Sequence, residues 1–191
     1  MHSTSRLAGL SDGVFSIAMT LLVLNIELPS RTTSANLATE LLSLSHNYFA
    51  YALSFVVIGL FWSWHHSFIE PIRLVTRPIV FLNLFFLMFV SFLPFSTSVI
   101  SEYPTTMAST IFYLSSLFAV GLVRYGFTEY VLRSKTYDED MLPREPREQR
   151  ITNVSFIVIL VIAMCIAFIS PDAALISLNL IWIVAFFSRG H

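Results

Sequence analysis

Apolar residues along the chain fall into six long runs, which prolines and polar residues separate from one another. A helix needs about 20 mostly apolar residues to cross a membrane. The runs predict spans over 7–28, 48–68, 78–100, 105–132, 151–169 and 173–187. Between the first two, leucines at helical spacing (Leu37, Leu41 and Leu44) predict a short amphipathic helix. The pattern as a whole predicts an all-α integral membrane protein, with residues 1–191 forming a single domain of six transmembrane helices.

The basic residues favour one orientation of these spans. Ten of the eleven Lys and Arg residues lie at or near one side of the predicted membrane, and only Arg31 lies on the other. Because Lys and Arg concentrate in cytoplasmic loops, both termini are predicted to be cytoplasmic. The longest inner loop, Arg133 to Arg150, contains five basic and five acidic residues and is predicted to be a solvated connector.

Composition agrees with a membrane location. The chain has 191 residues, of which 55% are hydrophobic and 12% are charged, whereas soluble domains contain about 25% charged residues. The formal net charge is -1, so no strong field argues for a nucleic-acid partner. The expected surroundings are the lipid bilayer of a cell membrane, which the chain crosses several times.

Polar side chains from three spans are predicted to meet at one depth near the cytoplasmic face. The set consists of Arg6, Ser11, Asp12, Trp62, His65, His66 and Asn83. Ionisable groups within a membrane are costly, so they usually face partners or water. Donors in this set, such as Trp62 and Asn83, can satisfy the Asp12 carboxylate. We interpret the set as a structural polar network that holds the first three spans together, in preference to a catalytic role.

Neither a catalytic site nor a metal site is predicted. His65 and His66 are adjacent, so they point in different directions around a helix and cannot ligate one metal as an i, i+4 pair would. An enzyme would need catalytic groups that converge on a cavity. Outside the layer of Asp12 and His65, no span supplies such a set. An enzyme is therefore the least favoured class, and no cofactor is expected.

One face of the first span carries an apolar stripe. Its members are Leu10, Gly13, Ile17, Leu21, Leu24 and Leu28, with Thr20 beside them. Such a stripe is more often a helix-packing or lipid-facing surface than a functional one. Alternatively, identical stripes from several subunits could surround an axis, where rings of apolar side chains form hydrophobic constrictions. Thr20 would then place hydroxyls between those rings, and Glu27 would attract cations to the outer mouth.

Several motifs resemble those of the transmembrane-protein-175 family of potassium channels. Arg6-x-x-x-Leu10-Ser11-Asp12 is similar to the family signature Arg-x-x-x-Phe-Ser-Asp, with leucine in place of phenylalanine. The resemblance continues through 15–24, 61–69 and 83–95, and so covers the first three spans. Later spans match only in number and hydrophobicity.

The resemblance implies a homotetramer with a central ion pathway lined by the first helix. The narrow layers of the family then fall on Ile17, Leu21 and Leu24, and its hydroxyl layer falls on Thr20. The same resemblance places the family's inner polar network on Arg6, Ser11, Asp12, Trp62 and one histidine of the His65-His66 pair. His65 is preferred because it lies three residues from Trp62. The implied fold differs from that of channels with a Thr-Val-Gly-Tyr-Gly filter, a motif that this chain lacks.

The resemblance therefore implies a potassium-permeable cation channel, with monovalent cations as the permeant species. The alternative is a small proton-coupled secondary transporter, in which Asp12 or His65 relays protons. Transporters usually break their helices near the midplane of the membrane, where substrate binds. Here the prolines cluster at the ends of the spans, except for Pro94, and this favours the channel.

Overall fold

The computed structural model describes residues 4–104, 106–142 and 144–178, and these residues are predominantly helical. The helices are α1 (Thr4–Leu21), α2 (Leu37–Ser43), α3 (Ser45–Ile69), α4 (Arg77–Glu102), α5 (Met107–Ser134) and α6 (Pro146–Ala167), followed by α7 over 171–178. Two short 3-10 helices cover Leu22–Asn25 and Glu139–Met141. Within the described residues, five helices are long and apolar enough to cross a membrane, namely α1 with its 3-10 extension, α3, α4, α5 and α6.

The all-α membrane architecture predicted from hydropathy is confirmed, and α2 is the short helix predicted from the leucine spacing. The sixth predicted span, 173–187, begins within α7. Its residues from 179 onward lie outside the described residues, as does Arg189. Six transmembrane helices and cytoplasmic termini therefore stay predictions.

The first helix differs in its bounds from the predicted span 7–28. It begins at Thr4, and its regular part ends at Leu21, after which the backbone tightens into a 3-10 turn. Asn25 closes this turn, because its side-chain Nδ2 donates to the carbonyl oxygen of Pro94 at 3.0 Å. Glu27 therefore lies beyond the helix, on an exposed segment.

Helix α4 lies at the centre of the bundle. It packs against α1, α3 and α5, and α5 in turn packs against α6. Its side chain Phe86 is fully buried and makes an edge contact with Phe61 of α3, with ring centroids 6.5 Å apart. Phe61 also meets Phe156 of α6 edge-on at 5.6 Å. This row of aromatic contacts crosses the bundle and fixes how α3 lies against α4 and α6.

Two loops pair with each other at the end of the bundle where α3 and α5 finish. The carbonyl oxygen of Thr136 accepts from the backbone N–H of Arg73 at 2.9 Å, and Asp138 N–H donates to Pro71 O at 2.8 Å. The Arg73 side chain also forms an ion pair with Asp138. The inner loop predicted to be a solvated connector is thus ordered at its start by the loop between α3 and α4.

Replacing Gly121 with alanine is expected to destabilise this packing. A Cβ at this position of α5 would lie 2.7 Å from Cε1 of Phe156, and overpacking a filled core costs about 1–3 kcal/mol. Gly126→Ala on the same helix is the matched control, since its Cβ would meet no atom within 4 Å. Thermal unfolding in detergent, followed by tryptophan fluorescence, should show a lower Tm for Gly121→Ala only. Equal Tm values for the two variants would contradict this packing.

Candidate inner polar network and first-helix surface

The buried part of the inner network joins α1, α3 and α4. The Ser11 hydroxyl donates to Leu7 O at 2.9 Å, and the Asn83 amide Nδ2 donates to Ser11 Oγ at 3.2 Å. Nε2 of His65 lies 3.1 Å from the same oxygen. Because a serine hydroxyl has one hydrogen and two lone pairs, Ser11 can accept from both the amide and an Nε2–H imidazole. All three side chains are at least 99% buried, so we name them the buried triad.

Aromatic rings surround the histidine of the triad. The imidazole of His65 stacks on Phe86 with centroids 4.8 Å apart, and the ring of Phe15 lies 5.6 Å away. Nδ1 of His65 has no hydrogen-bond partner among the described residues. The triad is therefore a polar contact of three helices enclosed in an apolar core. The hydrogen bonds of such a site are costly to break, because a buried polar group that loses its partner keeps its desolvation penalty.

The other predicted members of the network lie on the subunit surface. The Trp62 indole Nε1–H donates to Asp12 Oδ1 at 2.8 Å, and its ring stacks on His66 at 5.6 Å. Arg6 is exposed at the beginning of α1. Sequence reasoning grouped these residues in one network and paired Trp62 with His65, whereas the structure separates a surface pair, Asp12 and Trp62, from the buried triad.

The predicted stripe on α1 is uncovered in the single subunit. The opposite face is packed in the bundle through Leu7, Ser11, Phe15, Ala18 and Leu22. Ile17 is 59% exposed and Leu24 is 64% exposed, with Leu21 also exposed. Lipid or another subunit must cover such a surface, because exposed apolar patches of this kind mark interaction sites.

Beside the stripe, the Thr20 hydroxyl is bonded within its own helix. Its Oγ1 lies 3.0 Å from Ser16 O and 2.9 Å from Ile17 O, and donates its hydrogen to these carbonyls. Glu27 lies farther along the chain, in a polar cavity of about 490 Å³ that Glu102 also lines. These two carboxylates give this end of α1 a negative character.

Sequence reasoning missed a second buried polar contact, which joins α3, α4 and α5. The Ser54 hydroxyl lies 3.1 Å from the Tyr113 hydroxyl and 2.9 Å from that of Thr97. All three side chains are buried. The sequence contained a signal for this contact, because each residue is polar and lies within an apolar span at matching depth. The same criterion identified the inner network. The Asn25 contact with Pro94 O gave no such signal, because it depends on where α1 ends.

These features define a multi-pass helical membrane protein. They are the helical bundle, its buried polar contacts and the uncovered face of α1. Residues 6–94, which hold the triad and the stripe, match the family described as "Endosomal/lysosomal potassium channel TMEM175". Over these residues the chain is similar to that family, and it is a multi-pass protein of the cell membrane.

Individual relatives show the same similarity. A potassium channel of Streptomyces collinus is 40% identical over 103 residues, which are 54% of this chain and 50% of that protein. The human endosomal/lysosomal proton channel TMEM175 is 32% identical over 137 residues, covering 63% of this chain and 27% of that protein. The match spans about half the length of the Streptomyces relative and less of the human one.

The fold agrees over almost the whole chain with a solved structure. The crystal structure of a lysosomal potassium-selective channel TMEM175 homolog from Chamaesiphon minutus superposes with a TM-score of 0.85 and 25% identity. The superposition covers 98% of each chain, so the likeness extends to the later helices, where sequence motifs gave no specific match.

Proposed function

We propose that this protein is a potassium-permeable cation channel, a homotetramer whose central pore is lined by α1. Ile17, Leu21 and Leu24 form hydrophobic constrictions in this proposal, and Thr20 supplies a layer of hydroxyls between them. Glu27 lies at the outer mouth, where its charge attracts cations. Potassium is the permeant ion, and the proposal requires neither a cofactor nor a catalytic residue.

The observation that carries the proposal is the uncovered apolar face of α1. A helix packed on one face by α3 and α4 exposes Ile17 and Leu24 on the other. Association of copies around these side chains would remove them from lipid and water and produce narrow apolar rings, which can gate by dewetting. The similarity of residues 6–94 to the potassium channel family and the names of the bacterial relatives support the same function.

The test is ion flux through the purified protein in liposomes. We expect potassium efflux down an imposed gradient, measured with a potassium-sensitive dye, above that of protein-free liposomes. Sodium efflux, measured with a sodium-sensitive dye in matched liposomes, gives the selectivity for potassium over sodium. Absence of cation flux over a range of voltage and pH would overturn the proposal, as would an assembly in which Ile17 and Leu24 face lipid.

A second candidate function is proton permeation, which is favoured by the similarity to the human endosomal/lysosomal proton channel TMEM175. It is distinguished in the same liposomes by a pH-sensitive dye enclosed in the lumen. Proton flux without potassium flux would favour this second candidate. Saturable counterflow of an organic solute would instead favour the alternative drawn from the sequence, a small proton-coupled secondary transporter.

Asp12→Asn is expected to impair assembly more than conduction. The substitution keeps the oxygen that accepts from Trp62 but removes its charge, and this weakens the hydrogen bond by about 1 kcal/mol in each subunit. Light scattering after size-exclusion chromatography should show a smaller tetramer fraction, whereas single-channel conductance should not change. Glu70→Gln, at the exposed end of α3, is the control for loss of charge. A variant that stays tetrameric but conducts differently would contradict the structural role of Asp12.

A further inference from the structure

A cavity of about 200 Å³ lies between α3, α5 and the start of α6. It is on the side of the bundle that carries most of the basic residues, away from the stripe of α1. Its polar lining consists of Ser63, Ser67, Arg124, Arg144, Gln149 and Thr152. Two guanidinium groups, three hydroxyls and an amide thus face one space, and the described lining residues include no carboxylate. This composition is that of an anion site.

Arg124 brings a positive charge into the wall of this cavity. Arg124 is a charged residue within the largely apolar helix α5, and it is only 5% exposed. Its Cζ is 4.4 Å from the centroid of the Trp64 ring and 5.7 Å from that of Phe156. These ring contacts hold the guanidinium of Arg124 at the wall of the cavity by cation–π attraction.

Arg144 is positioned by two residues of α6. Its Nη1 donates to Thr152 Oγ1 at 3.2 Å, and its carbonyl oxygen accepts from Gln149 Nε2 at 3.1 Å. The second bond fixes the orientation of the Gln149 amide. Gln149 is 95% buried, and its Oε1 has no hydrogen-bond partner among the described residues. Gln149 thus holds the backbone of Arg144 against the start of α6 at the wall of the cavity.

We infer that this cavity binds a phosphate ester, such as a phosphoglycerol. The phosphate oxygens match the planar donor groups of Arg124 and Arg144. One water needs about 10–15 Å³ of such space, so the cavity has room for this group. Basic pockets between transmembrane helices bind the headgroups of anionic lipids, and a soluble phosphate ester has the same chemistry.

The inference is tested by binding, without any measurement of ion flux. Native mass spectrometry of the full-length protein in detergent is used to titrate dihexanoyl phosphatidylglycerol, dihexanoyl phosphatidylcholine and glycerol 3-phosphate. Arg144→Gln removes one guanidinium from an exposed loop position, so the fold is expected to persist. Arg147→Gln is the matched control, because Arg147 is exposed near the start of α6 and outside the cavity lining.

We expect saturable binding of phosphatidylglycerol to the wild-type protein and binding about tenfold weaker to Arg144→Gln, with Arg147→Gln unchanged. Binding of glycerol 3-phosphate with the same pattern among variants, without a preference for the lipid, assigns the site to a soluble phosphate ester. Lack of saturable binding of either anion, or equal weakening by the two arginine variants, overturns the inference.

Discussion

Replacing Ile17 with alanine is expected to raise potassium flux about tenfold, which corresponds to lowering the barrier by ~1.4 kcal/mol. Ile17 is exposed in the single subunit and belongs to the apolar face of α1. In the proposed pore, each subunit contributes one such side chain to a ring. Removing bulk from the whole ring widens the constriction and lets water remain in it, and a hydrated constriction conducts more readily than a dewetted one.

The measurement is potassium and sodium flux into liposomes at equal protein density. We expect the ratio of potassium to sodium flux to fall as the total flux rises, because a wider ring excludes less. Ile162→Ala is the matched control, since Ile162 is 53% exposed on α6, away from the stripe. If both variants conduct like the wild-type protein, Ile17 does not line a constriction of the proposed pore.

Ser11→Ala is expected to lower the stability of the subunit by about 2–5 kcal/mol, because it removes the shared acceptor of the buried triad. The Asn83 amide and the His65 imidazole would each be left with an unpaired polar nitrogen inside the core. A buried polar group without its partner costs about 1–3 kcal/mol. All three side chains lie within long helices, α1, α3 and α4. Local unfolding of a loop therefore cannot expose the unpaired groups to water.

Thermal unfolding in detergent measures this effect, with Ser16→Ala as the control on the exposed face of the same helix. The double variant Ser11→Ala/Asn83→Leu should recover part of the lost stability, since replacing both partners by apolar groups removes one unpaired donor. A Tm for Ser11→Ala equal to that of Ser16→Ala would show that the triad contributes little to the fold.

The helices and the layer of polar residues could be predicted from sequence, because both depend on hydrophobicity and depth. A run of about 20 apolar residues has few alternatives in a membrane, and α3, α4 and α5 occupy the predicted runs. Depth follows from the position of a residue within its span. This is why Ser11, His65 and Asn83 could be assigned to one layer before their contacts were known.

Rotation about the helix axis was harder to predict. His65 and His66 are adjacent and about 100° apart on α3, so one faces the core and the other the surface. Their order depends on how α3 packs against α4, where Phe86 stacks on His65. Hydropathy does not encode that packing. It also does not encode the end of α1, which depends on the contact of Asn25 with a carbonyl of α4 rather than on the later proline at 29.

The internal hydrogen bond of Thr20 has a consequence for the sign of charge that the proposed pore admits. The hydroxyl hydrogen is directed to the backbone of α1, so only oxygen lone pairs remain for a passing ion. A belt of such oxygens is a Lewis base toward K⁺ and Na⁺, which take oxygen ligands. Chloride would need hydrogen-bond donors and would meet none in this belt. The direction of this O–H bond in each subunit thus disfavours anions in the Thr20 layer, independently of the carboxylates at the outer mouth.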